Sequence, residues 1–293
     1  MIENFYQTLG IVSPAFILIA LGFLYNSIAK SDTQPFVRSS MNLLVPAFAF
    51  YHIIIMRVPV NLMSSIFLAA WIVILGSGLV AFLVFRVLKI SNSGLYLPIM
   101  FMNTVNLPFP ILMAAYGEKA VSLSLMFYLA GLLGAFTIGI LIVSVKDAST
   151  GLFKEPVLYV LVLGFALKYY SIEIPELVMA PLKMLESATV PLVLITLGMQ
   201  LSQVKITELR LPLIATLCRI GGGFLVGLAC VYFLQLEGLP RVVVLFNSIM
   251  PSAVIGYLIA QKYDKDGGLV ASTVLVSTLV SIFLIPLALI WLK

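Results

Sequence analysis

The sequence is short of charged residues. Only 10% of its 293 residues are charged and 62% are hydrophobic, whereas a soluble globular domain has roughly a quarter charged residues. This shortage excludes an ordinary soluble domain. The composition instead predicts an all-α polytopic membrane protein that is surrounded by the lipid bilayer.

Residues that carry catalytic chemistry are also scarce. An intramembrane enzyme needs paired carboxylates, a Ser/His pair or a metal cluster, but the chain has a single histidine, His52, and no clear acidic pair inside its apolar stretches. No phosphate-binding glycine motif is present, so ATP is not expected to drive the protein directly. Cys218 and Cys230 lie twelve residues apart in one apolar stretch, where a disulfide between them is excluded. We therefore predict neither an enzyme nor a metal site.

Basic residues are in modest excess and indicate orientation. The net charge of +5 is scattered between apolar stretches, which fits membrane topology better than nucleic-acid binding. Ten Lys and Arg residues fall on one side of the predicted membrane and six on the other. Because Lys and Arg accumulate in cytoplasmic loops, both termini are predicted to lie outside the cell.

Ten apolar stretches approach the roughly 20 residues that a membrane-spanning helix needs. The connections between them are short, and none is long enough for a soluble domain. The stretches cover residues 8–28, 39–56, 62–85, 94–116, 120–145, 156–170, 177–201, 211–234, 239–261 and 268–292.

The chain also repeats itself at about half its length. Pro46 recurs 145 residues later as Pro191, and Asn103 recurs 144 residues later as Asn247. Five spans per half is an odd number, so the second half enters the membrane upside down relative to the first. We predict a first repeat over 1–146, a linker over 147–155 and an inverted second repeat over 156–293, with Pro46 and Pro191 kinking their helices toward the site.

The fourth stretch contains residues that a plain spanning helix avoids. Pro108 and Pro110 lack backbone N–H groups and break or kink a helix, and Asn103, Thr104 and Asn106 stand beside them. Backbone groups freed at this depth are tolerated only inside protein or beside a watery cavity. These residues predict a transporter binding site at a broken helix. The asparagine amides alternatively serve the freed carbonyls, a role that is compatible with binding.

Further polar candidates lie in the second half. Asn247 and Ser248 precede Pro251 in the ninth stretch, which we expect to be broken as well. Arg219 is a formal charge well inside a span, where it costs roughly 2.5 to 3.5 kcal/mol. It is either a countercharge for the substrate, or it snorkels to the surface or bonds to helix-end carbonyls. His52 is either a proton-coupling group or structural.

Three motifs resemble the auxin efflux carrier family, which includes the plant PIN-formed carriers and bacterial malonate and malate permeases. They are MNTVNLPFP from Met102, NLLVPAFAF from Asn42, and MPSA from Met250 with AQKY from Ala260. The resemblance implies two inverted five-helix repeats that form a scaffold group and a transport group. It also implies that broken helices 4 and 9 cross, in an architecture similar to the bile acid:sodium symporters.

The resemblance also implies residue roles. Asn103 would contact an anionic substrate, Pro110 would be the crossover proline of the first repeat, and the second break would run from Pro251 to Gly256. Three features depart from the family pattern: Pro108 stands where glycine is common, and Gly256 where the plant carriers have proline. The third departure concerns the plant substrate pocket, because Ala49 replaces a serine and the third span has Phe67 and Trp71 near the position of an acidic and basic pair. Auxin itself is therefore not the expected substrate.

The sequence thus predicts a secondary transporter, a permease or efflux carrier, that moves a small organic anion such as a carboxylate by alternating access. Its expected location is the cell membrane, the inner membrane in a bacterium. The alternatives are a sodium-coupled organic-anion symporter of the bile-acid type and a membrane ligand sensor that does not transport. H⁺ or Na⁺ is the expected coupling ion if there is one, no other cofactor is predicted, and a homodimer is compatible with the sequence.

Overall fold

The computed structural model describes residues 2–56, 58–144, 156–206 and 208–292, and residues 2–7 through their backbone only. The predicted linker, 147–155, lies outside these residues. Fifteen α-helices are present in the described part of the chain. They are α1 Ile2–Ala29, α2 Gln34–Ser39, α3 Val45–Ile55, α4 Val60–Leu88, α5 Tyr96–Met100, α6 Pro108–Tyr116, α7 Glu118–Gly134, α8 Ile140–Val143, α9 Pro156–Tyr169, α10 Glu176–Leu201, α11 Arg210–Leu217, α12 Gly223–Phe233, α13 Gly238–Ser248, α14 Val254–Lys262 and α15 Gly267–Leu292.

The architecture is that of an all-helical polytopic membrane protein, as predicted. The described residues contain no β-strand, only one isolated bridge. Six continuous helical stretches are long and apolar enough to cross a membrane. They are Thr8–Ala29, Val60–Leu88, Glu118–Val143, Glu176–Leu201, Arg210–Phe233 and Gly267–Leu292.

The second predicted stretch begins earlier than its apolar residues suggest. Helix α2 starts at Gln34 instead of residue 39, with Pro35 in its first turn, and a π-helical turn, Ser40–Leu44, joins it to α3. Proline is favoured in a first turn because its missing N–H has no partner there in any case. Arg38, which directly precedes the predicted stretch 39–56, therefore belongs to a helix.

Two of the predicted stretches are interrupted. Helix α5 ends at Met100 and α6 begins at Pro108, while α13 ends at Ser248 and α14 begins at Val254. The unwound segments, residues 101–107 and 249–253, lie against each other as an antiparallel pair. The Asn103 N–H donates to the Pro251 carbonyl at 2.7 Å, and the Ala253 N–H donates to the Phe101 carbonyl at 2.9 Å. Each break thus satisfies backbone groups of the other, as burial away from water requires.

The helices pack in two groups. In the first group, α1 packs along α10, and α3 packs on α9 and α10. In the second, α4 packs on α7 and α12, and α15 packs on α11 and α14. The closest approach in the first group is between α1 and α10, where a Cβ on Gly22 or Gly198 would overlap a backbone carbonyl of the other helix. The π-turn between α2 and α3 is tied to α10 by the Thr189 hydroxyl, which donates to the Leu44 carbonyl at 3.1 Å. Helix α10 runs through Pro191 without interruption.

Candidate functional site

A cavity of about 280 Å³ lies beside the first unwound segment. Its walls come from α2 and the following π-turn, from residues 101–106, from α7 and its π-turn Ala135–Gly139, and from the first turn of α14. Most of the lining is apolar. The polar side chains belong to Gln34, Arg38, Asn42, Asn103, Thr104, Asn106 and Tyr128.

The unwound segment supplies one polar wall. Asn103 is buried, and its amide oxygen accepts the backbone N–H of Asn106 at 2.9 Å and that of Val105 at 3.4 Å. This is the turn-forming role of asparagine. The nitrogen of the same amide, and the side chains of Thr104 and Asn106, have no hydrogen-bond partner among the described residues. Asn103 therefore holds the loop with its oxygen and leaves its donors to the cavity.

The facing wall carries the positive charge of the site. Gln34, Arg38 and Asn42 follow one another at intervals of four residues, which places them on one side of the α2 helix and its π-turn. The described lining contains one cationic side chain, Arg38, and no Asp or Glu. This wall was not predicted. Gln34 and Arg38 are polar, so hydropathy alone places them in a connection before the stretch 39–56. The spacing of four residues, 34, 38 and 42, was the available signal.

The prolines mark the breaks, although they do not line the cavity. Pro108 and Pro110 occupy the first turn of α6, and Pro251 lies in the second unwound segment. Gly256 is not part of the break, which ends before Val254 instead of extending to Gly256 as the resemblance implied. It lies within α14, where a Cβ would come 3.2 Å from the carbonyl carbon of Leu97. Its small size permits the close approach of α14 to α5.

Asn247 and Ser248 were expected to contact the substrate, but the structure places both away from the cavity lining. Both are fully buried. The Asn247 amide nitrogen donates to Ser124 at 3.0 Å and to the Val243 carbonyl at 2.9 Å, and its oxygen accepts the Ser124 hydroxyl. The Ser248 hydroxyl donates to the Val244 carbonyl of its own helix at 2.7 Å. Their hydrogen-bonding groups are already used, so the expected substrate contact has no support here.

Arg219 also lies outside the cavity lining. It belongs to a π-helical turn, Cys218–Gly222, between α11 and α12, and it is fully buried. Its guanidinium donates to three backbone carbonyls: Nη1 to Ile99 at 2.7 Å and Met100 at 3.2 Å, and Nη2 to Ser248 at 2.9 Å. Of the roles that the sequence leaves open, these contacts support bonding to helix-end carbonyls.

Aromatic packing lies beyond the cavity, further along α3. The Phe48 and Phe109 rings stack with centroids 5.0 Å apart and an interplanar angle of 12°, and both side chains are buried. Only a gap of about 10 Å³ remains beside Asn106 and these rings. One helical turn past Phe48, His52 Nε2 lies 3.2 Å from Glu186 Oε1 of α10. His52 therefore joins two helices of the first group and is not a cavity residue.

Comparison with known proteins agrees with a transporter. The chain is 29% identical over 229 residues to an uncharacterized transporter of Methanocaldococcus jannaschii. The matched region covers 72% of this chain and 73% of that protein. It is 25% identical over 307 residues to an uncharacterized transporter of Methanothermobacter thermautotrophicus, with 97% and 96% coverage. The family described as "Membrane transport protein" matches residues 140–289, just over half of the chain. The protein is thus a multi-pass membrane transporter and not an enzyme. It belongs to the membrane transport protein family, the auxin efflux carrier family that its motifs resemble.

Proposed function

We propose that this protein is a secondary transporter that moves a small organic anion, a carboxylate, across the cell membrane by alternating access. The observation that carries the proposal is the polarity of the cavity. Its described lining combines amide donors and one arginine with no acidic side chain. Such a lining favours a negatively charged ligand over a cation.

The size of the cavity favours a small substrate. At about 280 Å³ it lies near the lower limit of roughly 300 Å³ for pockets that hold drug-sized ligands. The mostly apolar wall suits a short carbon chain, and the polar groups suit its carboxylate. The malonate and malate permeases of the family make short dicarboxylates the first compounds to test.

Carboxylate recognition would use donors from both walls. Asn103, with its free amide nitrogen, would donate from the unwound segment, and Arg38 would donate from α2. The first turn of α14 also lines the cavity through Val254 and Ile255. First-turn N–H groups have no partner within their own helix and carry partial positive charge, which attracts anions.

The packing supports ten membrane spans in two inverted repeats. The first span, α1, packs on the seventh, α10, and the second span, α2–α3, packs on the sixth, α9. In the proposed repeat, span 1 corresponds to span 6 and span 2 corresponds to span 7. The contact between spans 1 and 7 is therefore the repeat equivalent of the contact between spans 6 and 2. The α4–α7 pair corresponds in the same way to the α11–α15 pair. If the side with more Lys and Arg is the cytoplasm, both termini would lie outside the cell. The cavity, which Arg38 lines, would then open toward the cytoplasm.

Alternating access would move one helix group against the other. The cavity lies between α2, which leads into α3 of the first group, and α7 of the second group, with the first unwound segment beside it. On the far side, the Phe48–Phe109 stack joins α3 to α6, which packs on α7 of the second group. Opening toward the far side would require these rings to separate while the walls near Arg38 approach each other.

Flux measurements test this proposal. Purified protein in liposomes is assayed for uptake of radiolabelled malonate, malate and monocarboxylates, with and without Na⁺ or pH gradients. We expect carboxylate uptake that Asn103→Ala abolishes in the protein that remains folded, whereas Asn92→Ala, in the connection between α4 and α5 and outside the cavity lining, leaves uptake unchanged. Carboxylate binding without flux under every gradient would favour the ligand-sensor alternative.

A further inference from the structure

Arg219 joins the ends of the two interrupted helices. Its side chain is fully buried, yet it reaches Ile99 and Met100 at the end of α5 and Ser248 at the end of α13. Helices α5 and α13 belong to different halves of the chain and end at the two breaks. One guanidinium therefore links the two interrupted helices where their unwound segments, 101–107 and 249–253, pair, a region called the crossing below.

The three acceptors are groups that attract a cation. The last carbonyls of a helix have no partner within the helix and carry partial negative charge. In transporters with broken helices, such carbonyls coordinate the coupling cation. In this protein the cation at these carbonyls is the Arg219 guanidinium, which is covalently part of the chain.

Glycine residues on α12 leave room for this arrangement. A Cβ on Gly223 would overlap both Arg219 Nη2 and the Ser248 carbonyl oxygen. A Cβ on Gly227 would overlap the Ser248 side chain. In the sequence these glycines form a run that is typical of ordinary close helix packing, but Gly223 specifically clears the space around the guanidinium.

We propose that Arg219 is a tethered cation that takes the place of a coupling ion at the crossing, so that transport proceeds without Na⁺. This inference rests on the proposed transport function and narrows it, because the sequence leaves Na⁺ or H⁺ coupling open. Arg219 is a positioning residue: it holds the two helix ends together and does not touch the substrate cavity.

The first test uses the unmodified protein. Carboxylate uptake is measured in liposomes with NaCl, KCl or choline chloride at equal ionic strength on both sides. Equal initial rates in the three salts are expected. Uptake that occurs in NaCl alone would overturn the tethered-cation proposal and leave the transporter proposal standing. Absence of uptake in every salt would count against the transporter proposal, while the next test still addresses Arg219.

The second test asks whether a free cation replaces the side chain. Arg219→Ala should unfold at a lower temperature than the unmodified protein, and millimolar guanidinium chloride should restore much of the loss, while equal urea or choline chloride should not. Cys230→Ala, a buried substitution on α12 away from the three carbonyls, serves as control and should not respond to guanidinium. Restoration of both variants, or of neither, would overturn the proposal.

A conservative variant covers the case in which Arg219→Ala fails to fold. Arg219→Lys keeps the charge but has one ammonium in place of the planar fork that reaches three carbonyls. We expect it to fold with a reduced unfolding temperature and to transport equally well in Na⁺ and choline. An Arg219→Lys variant that requires Na⁺ for transport would contradict a tethered positive charge as the reason for Na⁺ independence.

Discussion

Replacing Arg38 with glutamine gives a direct test of the proposal that the cavity binds an anion. Arg38 is the one cationic side chain in the described cavity lining, and Gln34 and Asn42 lie one helical turn to either side of it. The substitution removes the charge and keeps a hydrogen-bonding amide. Because glutamine is already present at position 34 of the same helix face, the variant is expected to fold normally.

The expected loss of substrate affinity follows from the exposure of the Arg38 side chain. A hydrogen bond to a charged group contributes about 1.5 to 3 kcal/mol. Arg38 is exposed, so solvent screening favours the lower end of this range, and about 1.4 kcal/mol corresponds to a tenfold change in affinity. We therefore expect the KM for carboxylate uptake to rise about tenfold in Arg38→Gln. The difference should shrink at high salt, which screens exposed charges.

Liposome uptake at several substrate concentrations measures this change. Arg86→Gln is the matched control, because Arg86 is also an exposed arginine near a helix end, but it lies on α4 away from this cavity. Arg38→Lys should fall between the unmodified protein and Arg38→Gln, since it keeps the charge without the planar fork. If Arg38→Gln and Arg86→Gln have the same KM as the unmodified protein, Arg38 does not take part in substrate binding.

Three further substitutions separate structural from functional roles. Asn103→Asp keeps the oxygen that accepts backbone N–H groups but places a negative charge in the cavity, so folded protein with lost carboxylate uptake is expected; normal uptake would argue against an anionic ligand near Asn103. Phe109→Ala removes one ring of the buried stack with Phe48, and the free energy of unfolding is expected to fall by about 3 to 5 kcal/mol. An unchanged unfolding temperature would contradict the conclusion that these two rings pack tightly on the far side of the cavity. Asn247→Ala removes the amide bonded to Ser124, so the free energy of unfolding should fall by about 1 to 3 kcal/mol while the KM of the folded fraction stays unchanged. A raised KM would indicate that Asn247 contacts the substrate after all.

Helix positions were largely predictable because the membrane makes length and apolarity the dominant signals. The third stretch was expected at 62–85 and is helical over Val60–Leu88, and the seventh was expected at 177–201 and is helical over Glu176–Leu201. The start of α2 was missed because Gln34 and Arg38 are polar residues of a helix that lines a cavity. A hydropathy argument places such residues in a loop.

The first break was also predictable. Prolines and asparagines together at membrane depth favour an unwound segment that is buried in protein or lines a cavity, and the helix is unwound from residue 101 to residue 107. The partners of Arg219 were not predictable in the same way. Its acceptors Ile99 and Met100 lie about 120 residues away in sequence, so only the packing of the π-helical turn Cys218–Gly222 against the end of α5 decides between the alternatives that the sequence leaves open.

The two breaks contribute different groups to the candidate site, although the sequence repeat predicts that they occupy matching positions in the two halves. In the first half, side chains of the unwound segment, Asn103 and Asn106 among them, line the cavity. In the second half, the Asn247 amide and the Ser248 carbonyl are bonded to Ser124 and Arg219, and the cavity instead meets the first turn of α14. Backbone N–H groups attract any carboxylate equally well, whereas side chains differ in shape and hydrogen bonding. For the proposed carboxylate transport, selectivity should therefore depend on the first break and on α2, while the second break and Arg219 keep the crossing assembled.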